Sequence, residues 1–163
     1  MEPGVGQPLD ENPVAQALAA LGAPLLSVRP RAGAEPEATL AAALLLAHRE
    51  AVVLRAVPVV LARLADKLDW GRLEAGARAC GELSTLGFTL ELAGRLSGRA
   101  DLIERAKGLH AWAEPGHRYF FEPRNDYDRR LAELQTPEVA RAWGFWLNMG
   151  EDAFRSLFER HAT

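Results

Sequence analysis

Residues 83–96 read LSTLGFTLELAGRL. Leu83, Leu86, Leu90 and Ala93 recur at helical spacing, which predicts an amphipathic helix with one apolar face. Gly87 sits in its middle, where glycine costs about 1 kcal/mol against alanine. A glycine kept there predicts close approach of a neighbouring element, and Gly76 and Gly94 read the same way.

Working outward, helix signals recur along the chain. Asn12-Pro13 is a cap followed by proline at the first helical position, and VAQALAAL then runs to a stop at Gly22. Residues 25–28, LLSV, form either a brief strand or a crossing segment. Pro36 opens EATLAAALLLAHRE, apolar nearly all round and hence expected to be central. In AVVLRAVPVVLARLADKL, Pro58 removes a helical hydrogen bond, predicting a kink or break near Val57. Asp69 caps WGRLEAGARAC, which stops at Gly81, and Asp101 begins a helix through Lys107. HRYFFE (117–122) is the best strand candidate by its aromatic content. Asp126–Gln135 reads as helix. Thr136-Pro137-Glu138 starts another, with Val139, Ala142/Trp143 and Trp146/Leu147 on one side and Asn148-Met149-Gly150 as its end. The last helix opens at Glu151-Asp152 and buries Phe154, Leu157 and Phe158.

The expected fold is mainly α: a compact bundle of about six to eight helices with at most a small two-stranded β element. Residues 1–12 are expected to be mobile. Residues 13–163 form a single helical domain, with an Ala/Leu-rich part (13–112) and an aromatic-rich part (113–163). Ten of the aromatic residues lie in 112–163 and none before Trp70. Ala113–Gly116 is the best candidate boundary between the two parts.

Composition narrows function. The net charge is −3, which argues against nucleic-acid binding as a default, because such binding draws on many phosphate contacts. Of 19 basic residues only Lys67 and Lys107 are lysine. With Cys80 alone, no intramolecular disulfide can form, and a reducing, cytoplasmic setting is expected. The N-terminus lacks the basic and apolar regions of a secretory signal. Leu40–Ala65 is broken by His48, Arg49, Glu50, Arg55 and Arg63, so its uncharged runs fall short of the ~20 residues of a membrane span. GxSxG, GxGxxG, P-loop, HExxH, CxxC and EF-hand patterns are all absent. No catalytic residue, metal ligand or cofactor is assigned.

The densest chemistry lies in HRYFFEPRNDYDRR, residues 117–130. His117, Asp126 and Asp128 are the alternative reading: the polar lining, with Arg118, of a pocket between the two halves of the core. Their acids are matched by Arg118, Arg124, Arg129 and Arg130, which favours local ion pairing. The four arginines also supply a candidate partner surface or, as a further alternative with Tyr119 or Tyr127 stacking, a nucleic-acid face. Arg141 and Phe145 extend the partner reading. If Trp143 and Trp146 face the core, Phe145 points away and becomes an anchor beside Arg141, unless the C-terminal hairpin covers it. His48 lies where an apolar helix ends, with a functional role as the minor reading.

Within LDWGRLEAGARACGELSTLGFTLELAGRL (68–96), Leu73, Ala77 and Leu86-Gly87-Phe88-x-Leu90 resemble the helical C-terminal domain of AbiEi-type antitoxins. Residues 1–35 are too short and too rich in Pro and Gly for the winged helix that precedes that domain, so DNA binding is not carried over. The resemblance implies a non-catalytic helical module acting through a partner, beside a nucleotidyltransferase-like toxin. The leading expectation is therefore a non-enzymatic interaction or regulatory protein with a protein partner, a homodimer being compatible with it. A small enzyme or ligand-binding protein, and nucleic-acid binding through the arginines, are the alternatives.

Overall fold

The computed structural model describes residues 8–112 and 117–161. The expected boundary at Ala113–Gly116 and the first seven residues of the expected mobile segment lie outside the described residues. Leu9–Glu11 form a 3-10 turn. Then follow α1 (Pro13–Ala20), α2 (Pro36–Leu46), α3 (Ala51–Leu64), α4 (Trp70–Ala79), α5 (Leu83–Ser97) and α6 (Ala100–Leu109). After a 3-10 turn at His110–Trp112 come β1 (Arg118–Tyr119), α7 (Asp126–Gln135), α8 (Glu138–Ala142), β2 (Phe145–Trp146) and α9 (Glu151–His161). The fold is mainly α, with nine helices among the described residues and one two-stranded sheet.

The caps read from sequence at Asn12 and Asp69 are formed, whereas Thr136 does not cap the helix after it and Asn125, read only as part of a turn, caps α7. The Asn12 side chain accepts hydrogen bonds from the N–H groups of Val14 and Ala15 at 2.9 and 3.2 Å, with Pro13 first in α1. Asp69 accepts from the Arg72 N–H at 3.2 Å, and Asn125 from the Asp128 N–H at 2.8 Å. Residues 25–28 form a turn rather than a strand, with Leu25 and Val28 buried.

Three expectations are corrected. Pro58 does not divide α3, which runs unbroken from Ala51 to Leu64. Proline forgoes the bond to the Leu54 carbonyl, but Val53, Leu54 and Ala56–Leu61 are all buried, and packing on both sides of Pro58 holds the helix together. Next, α5 is not a one-faced amphipathic helix: every residue from Leu83 to Gly94 is buried, which makes α5 the central element. Its polar side chains are tolerated because most find partners inside. Thr89 donates to the Thr85 carbonyl at 2.8 Å, and Glu91 accepts from Arg95 and Trp143. Finally, the helix after Pro137 ends at Ala142 rather than near Asn148. Gly144 adopts φ 83°, a left-handed conformation that glycine takes without strain and that stops the helix. The chain then extends as β2.

That early stop produces the parallel pair of β1 and β2, with Arg118 opposite Phe145 and Tyr119 opposite Trp146. The Arg118 N–H donates to the Gly144 carbonyl and the Phe120 N–H to the Trp146 carbonyl, both at 2.9 Å. So short a ladder is marginal alone. It is held by rings: Phe120 and Phe145 meet with centroids 4.9 Å apart, and Phe88 of α5 packs against both and against Phe154 of α9 at about 6 Å. A single apolar core thus extends from Ala15 in α1 to Phe154 in α9.

Gly87 is where the C-terminal part docks on α5. A Cβ built there would lie 2.2 Å from two ring carbons of Trp143. The Trp143 ring is pinned, stacked on His110 at 3.7 Å and donating its indole N–H to Glu91 at 3.3 Å. Gly87→Ala is therefore expected to destabilise by about 2 kcal/mol, overpacking outweighing the gain in helix propensity. Denaturant unfolding of the variant measures it, and a stabilised variant would contradict this packing.

Candidate functional site

Two features of the fold could carry function: a buried charge network at the seam between the helical body and the C-terminal part, and an outward face on α7.

The network centres on Glu82, which precedes α5 and is buried. Its Oε2 accepts from His48 Nε2 at 2.8 Å, from the Thr85 hydroxyl, and from the Arg118 guanidinium at 3.3 Å. His48 comes from the turn between α2 and α3 and Arg118 from β1, so one carboxylate joins three segments. The His48 ring stacks on Phe120 with centroids 4.1 Å apart and planes 10° from parallel. Arg118 lies over the Phe145 ring at 5.2 Å. Burial raises the Glu82 pKa, but the hydrogen bonds from His48 and Thr85 and the charges of His48 and Arg118 outweigh it, so the carboxyl is held below its ordinary value. Position before the first turn of α5 adds the favourable end of the helix dipole.

His, Glu and Thr together suggest nucleophilic catalysis, and the geometry argues against it. Thr85 is fully buried and gives its proton to Glu82, whereas a nucleophile gives its proton to histidine. His48 presents the same nitrogen, Nε2, to both Glu82 and Thr85, so no relay runs through the ring. The arrangement is a clamp.

The residues expected to line a pocket diverge. His117 is exposed and stacks on Trp146 at 4.7 Å. Asp126 is largely exposed and faces Arg129 at 3.9 Å, and Asp128 pairs with Arg124 at 3.4 Å. Among the described residues His117 makes no hydrogen bond to Asp126 or Asp128. The expected local ion pairing is therefore formed in part, while Arg118 leaves it for Glu82. Phe145 is not an exposed anchor: it is 1% exposed, because β2 turns it inward onto Phe88, Phe120 and His48. Among the described residues no three His, Cys, Asp or Glu side chains gather where they could hold a metal ion, and no helix is long and apolar enough to cross a membrane.

The second feature is α7. Of its ten residues only Ala132 is buried. Tyr127 is 70% exposed and Leu134 80% exposed. Seven residues apart, they lie two turns apart on one face, with Arg130 exposed and Leu131 half-buried along the same stripe. Single exposed apolar residues are ordinary; two aligned on a helix that barely joins the core are a presented edge. The helix is nevertheless fixed in place. Tyr119 donates its hydroxyl to Glu133 at 2.7 Å, and burial followed by this bond raises the Tyr119 pKa. Arg141 donates to the Glu133 carbonyl at 2.6 Å, and the Leu147 N–H to the Thr136 hydroxyl at 2.8 Å. Among the described residues, neither Arg130 nor Arg141 has a carboxylate within 4.0 Å.

No protein-family model, no curated protein and no solved structure matches this chain. The residues that carry the antitoxin resemblance, Leu73, Ala77, Leu86, Phe88 and Leu90, are all buried in the core.

Proposed function

We propose that the chain is a non-enzymatic cytoplasmic interaction module that binds a protein partner through α7. The observation that carries this reading is the exposed Tyr127–Leu134 stripe on a helix anchored at its C-terminal end through Glu133 and Thr136. Helices that dock into grooves present apolar side chains at such spacings. Arg130 within the stripe and Arg141 beside it call for a groove that is apolar at its floor and acidic at its rim, since charge complementarity sets register and encounter. The partner surface expected from sequence thus keeps Arg124, Arg129, Arg130 and Arg141, exchanges Phe145 for Tyr127 and Leu134, and loses Arg118 to the Glu82 clamp. The resemblance of residues 68–96 to the helical domain of AbiEi-type antitoxins fits the same class of function, a helical module acting through a partner.

The test separates binding from folding. Tyr127→Asp combined with Leu134→Asp is expected to change unfolding stability by less than about 1 kcal/mol, because both positions are solvent-exposed. The same double variant is expected to lose the partner recovered with the wild-type chain from its native host, by about tenfold or more. A partner retained by the double variant contradicts the proposal.

A further inference from the structure

A cavity of about 340 Å³ opens where the turn at residues 24–28 meets α3 and α9. Leu25, Leu26, Val52 and Leu157 form its apolar lining, and Arg55 and Arg160 its charged groups; no described carboxylate lines it. Leu26 is 94% exposed, so the apolar floor meets solvent at the rim. Arg55 is the unusual residue. Its Nε is shielded from solvent and has no hydrogen-bond partner, and no described carboxylate lies within 4.0 Å of its guanidinium. A buried donor left unmade is costly, and most such donors in folded proteins are satisfied. Arg160 turns its Nε to the Ser156 carbonyl at 3.2 Å, closing the end of α9, and it too has no described carboxylate partner.

A second cavity, between α4 and α6, is larger at about 420 Å³, but carboxylates line it together with its arginines. Arg105 faces Glu74 at 3.7 Å, Asp101 takes Arg99 at 2.7 Å, and Arg78 lies over Trp112 at 5.2 Å. The cleft at Arg55 differs in holding positive charge that the described chain does not answer.

We propose that this cleft binds a small carboxylate with a short apolar body, a medium-chain aliphatic acid being its simplest form. The volume lies at the low end of small-molecule sites, which span about 300–1,000 Å³. A planar carboxylate offers the paired acceptors that a guanidinium edge matches. The aliphatic chain would lie on Leu25, Val52 and Leu157, and its carboxylate would meet Arg55 and Arg160. This ligand site is separate from the α7 face.

The test titrates octanoate into the full chain, with octanol and octylammonium as controls, by calorimetry and thermal unfolding. Saturable octanoate binding that raises Tm, with controls at least about tenfold weaker, is the expected result. Arg55→Met is expected to weaken octanoate at least about tenfold, and Arg160→Met severalfold. Circular dichroism checks that each variant is folded, and should Arg55→Met not fold, Arg160→Met carries the comparison. Absence of saturation, equal affinity for octanol or octylammonium, or unchanged affinity in the folded variants overturns the proposal. So does self-association abolished by Leu26→Asp, which would put a second copy of the chain in the cleft.

Discussion

Phe145→Ala will destabilise the protein by about 4 kcal/mol, the range found when a buried phenylalanine is truncated in a packed core. In a chain of this size that lowers Tm by about 10 °C. The reason is position. Phe145 stands at the junction of β2 with the core, in ring contact with Phe88 from α5, Phe120 beside β1 and His48 from the turn after α2. Its removal opens a void bounded by segments far apart in the chain, and the two-residue ladder has too few hydrogen bonds to close it. Arg118 would also lose the ring beneath its guanidinium. Urea unfolding of the variant gives the number. A loss under about 1 kcal/mol would mean that the C-terminal part does not pack on α5 through this ring.

Glu82→Ala is the second large effect, about 3 kcal/mol at neutral pH. Removing one member of a buried charge network leaves the others desolvated and unpaired; here His48 and Thr85 lose their common acceptor, while Arg118 is partly solvated and loses less. Glu82→Gln keeps the volume and accepts hydrogen bonds, so it is expected to cost roughly half as much. The network also carries a pH signature. Because the folded state holds the Glu82 carboxyl below its ordinary value of 4.5, its contribution is fully present above that pH. It is lost as the pH falls through the lower folded-state value. Wild type is therefore expected to lose its advantage over Glu82→Gln progressively below pH 4.5. Paired unfolding curves across that window measure this, and a constant difference between the two proteins would contradict the clamp.

What was legible in the sequence follows from range. Asn12-Pro13 and Asp69 act on the next three residues, so their caps could be read locally. Gly87 announced a close neighbour, although not that the neighbour is Trp143, far along the chain. Local signals mislead where a distant contact or a single dihedral decides the outcome. Gly144 looked like one more residue in a periodic helix, yet its left-handed φ ends α8, creates β2 and turns Phe145 from surface to core. Pro58 looked like a break because its local cost is visible and the burial on both sides of it is not. The Glu82 clamp joins residues 34 and 36 positions apart, which no spacing rule covers. A signal did exist: Glu82 at the entrance to an apolar run, and Glu91 within it, are acids that can be buried only beside donors. The fold class was open to this kind of reasoning, whereas the clamp was assembled from side chains whose meeting depends on the finished packing.

The α7 face is tested most directly by placing a photo-activated cross-linking amino acid at Leu134 of the otherwise wild-type chain and irradiating it in the native host. The expected result is one discrete covalent adduct with a different protein, lost when Arg130 is changed to glutamate, and absent when the cross-linker is placed at exposed Leu45 on α2 instead. An adduct of twice the chain's mass, or the same adducts from positions 134 and 45, would contradict the account.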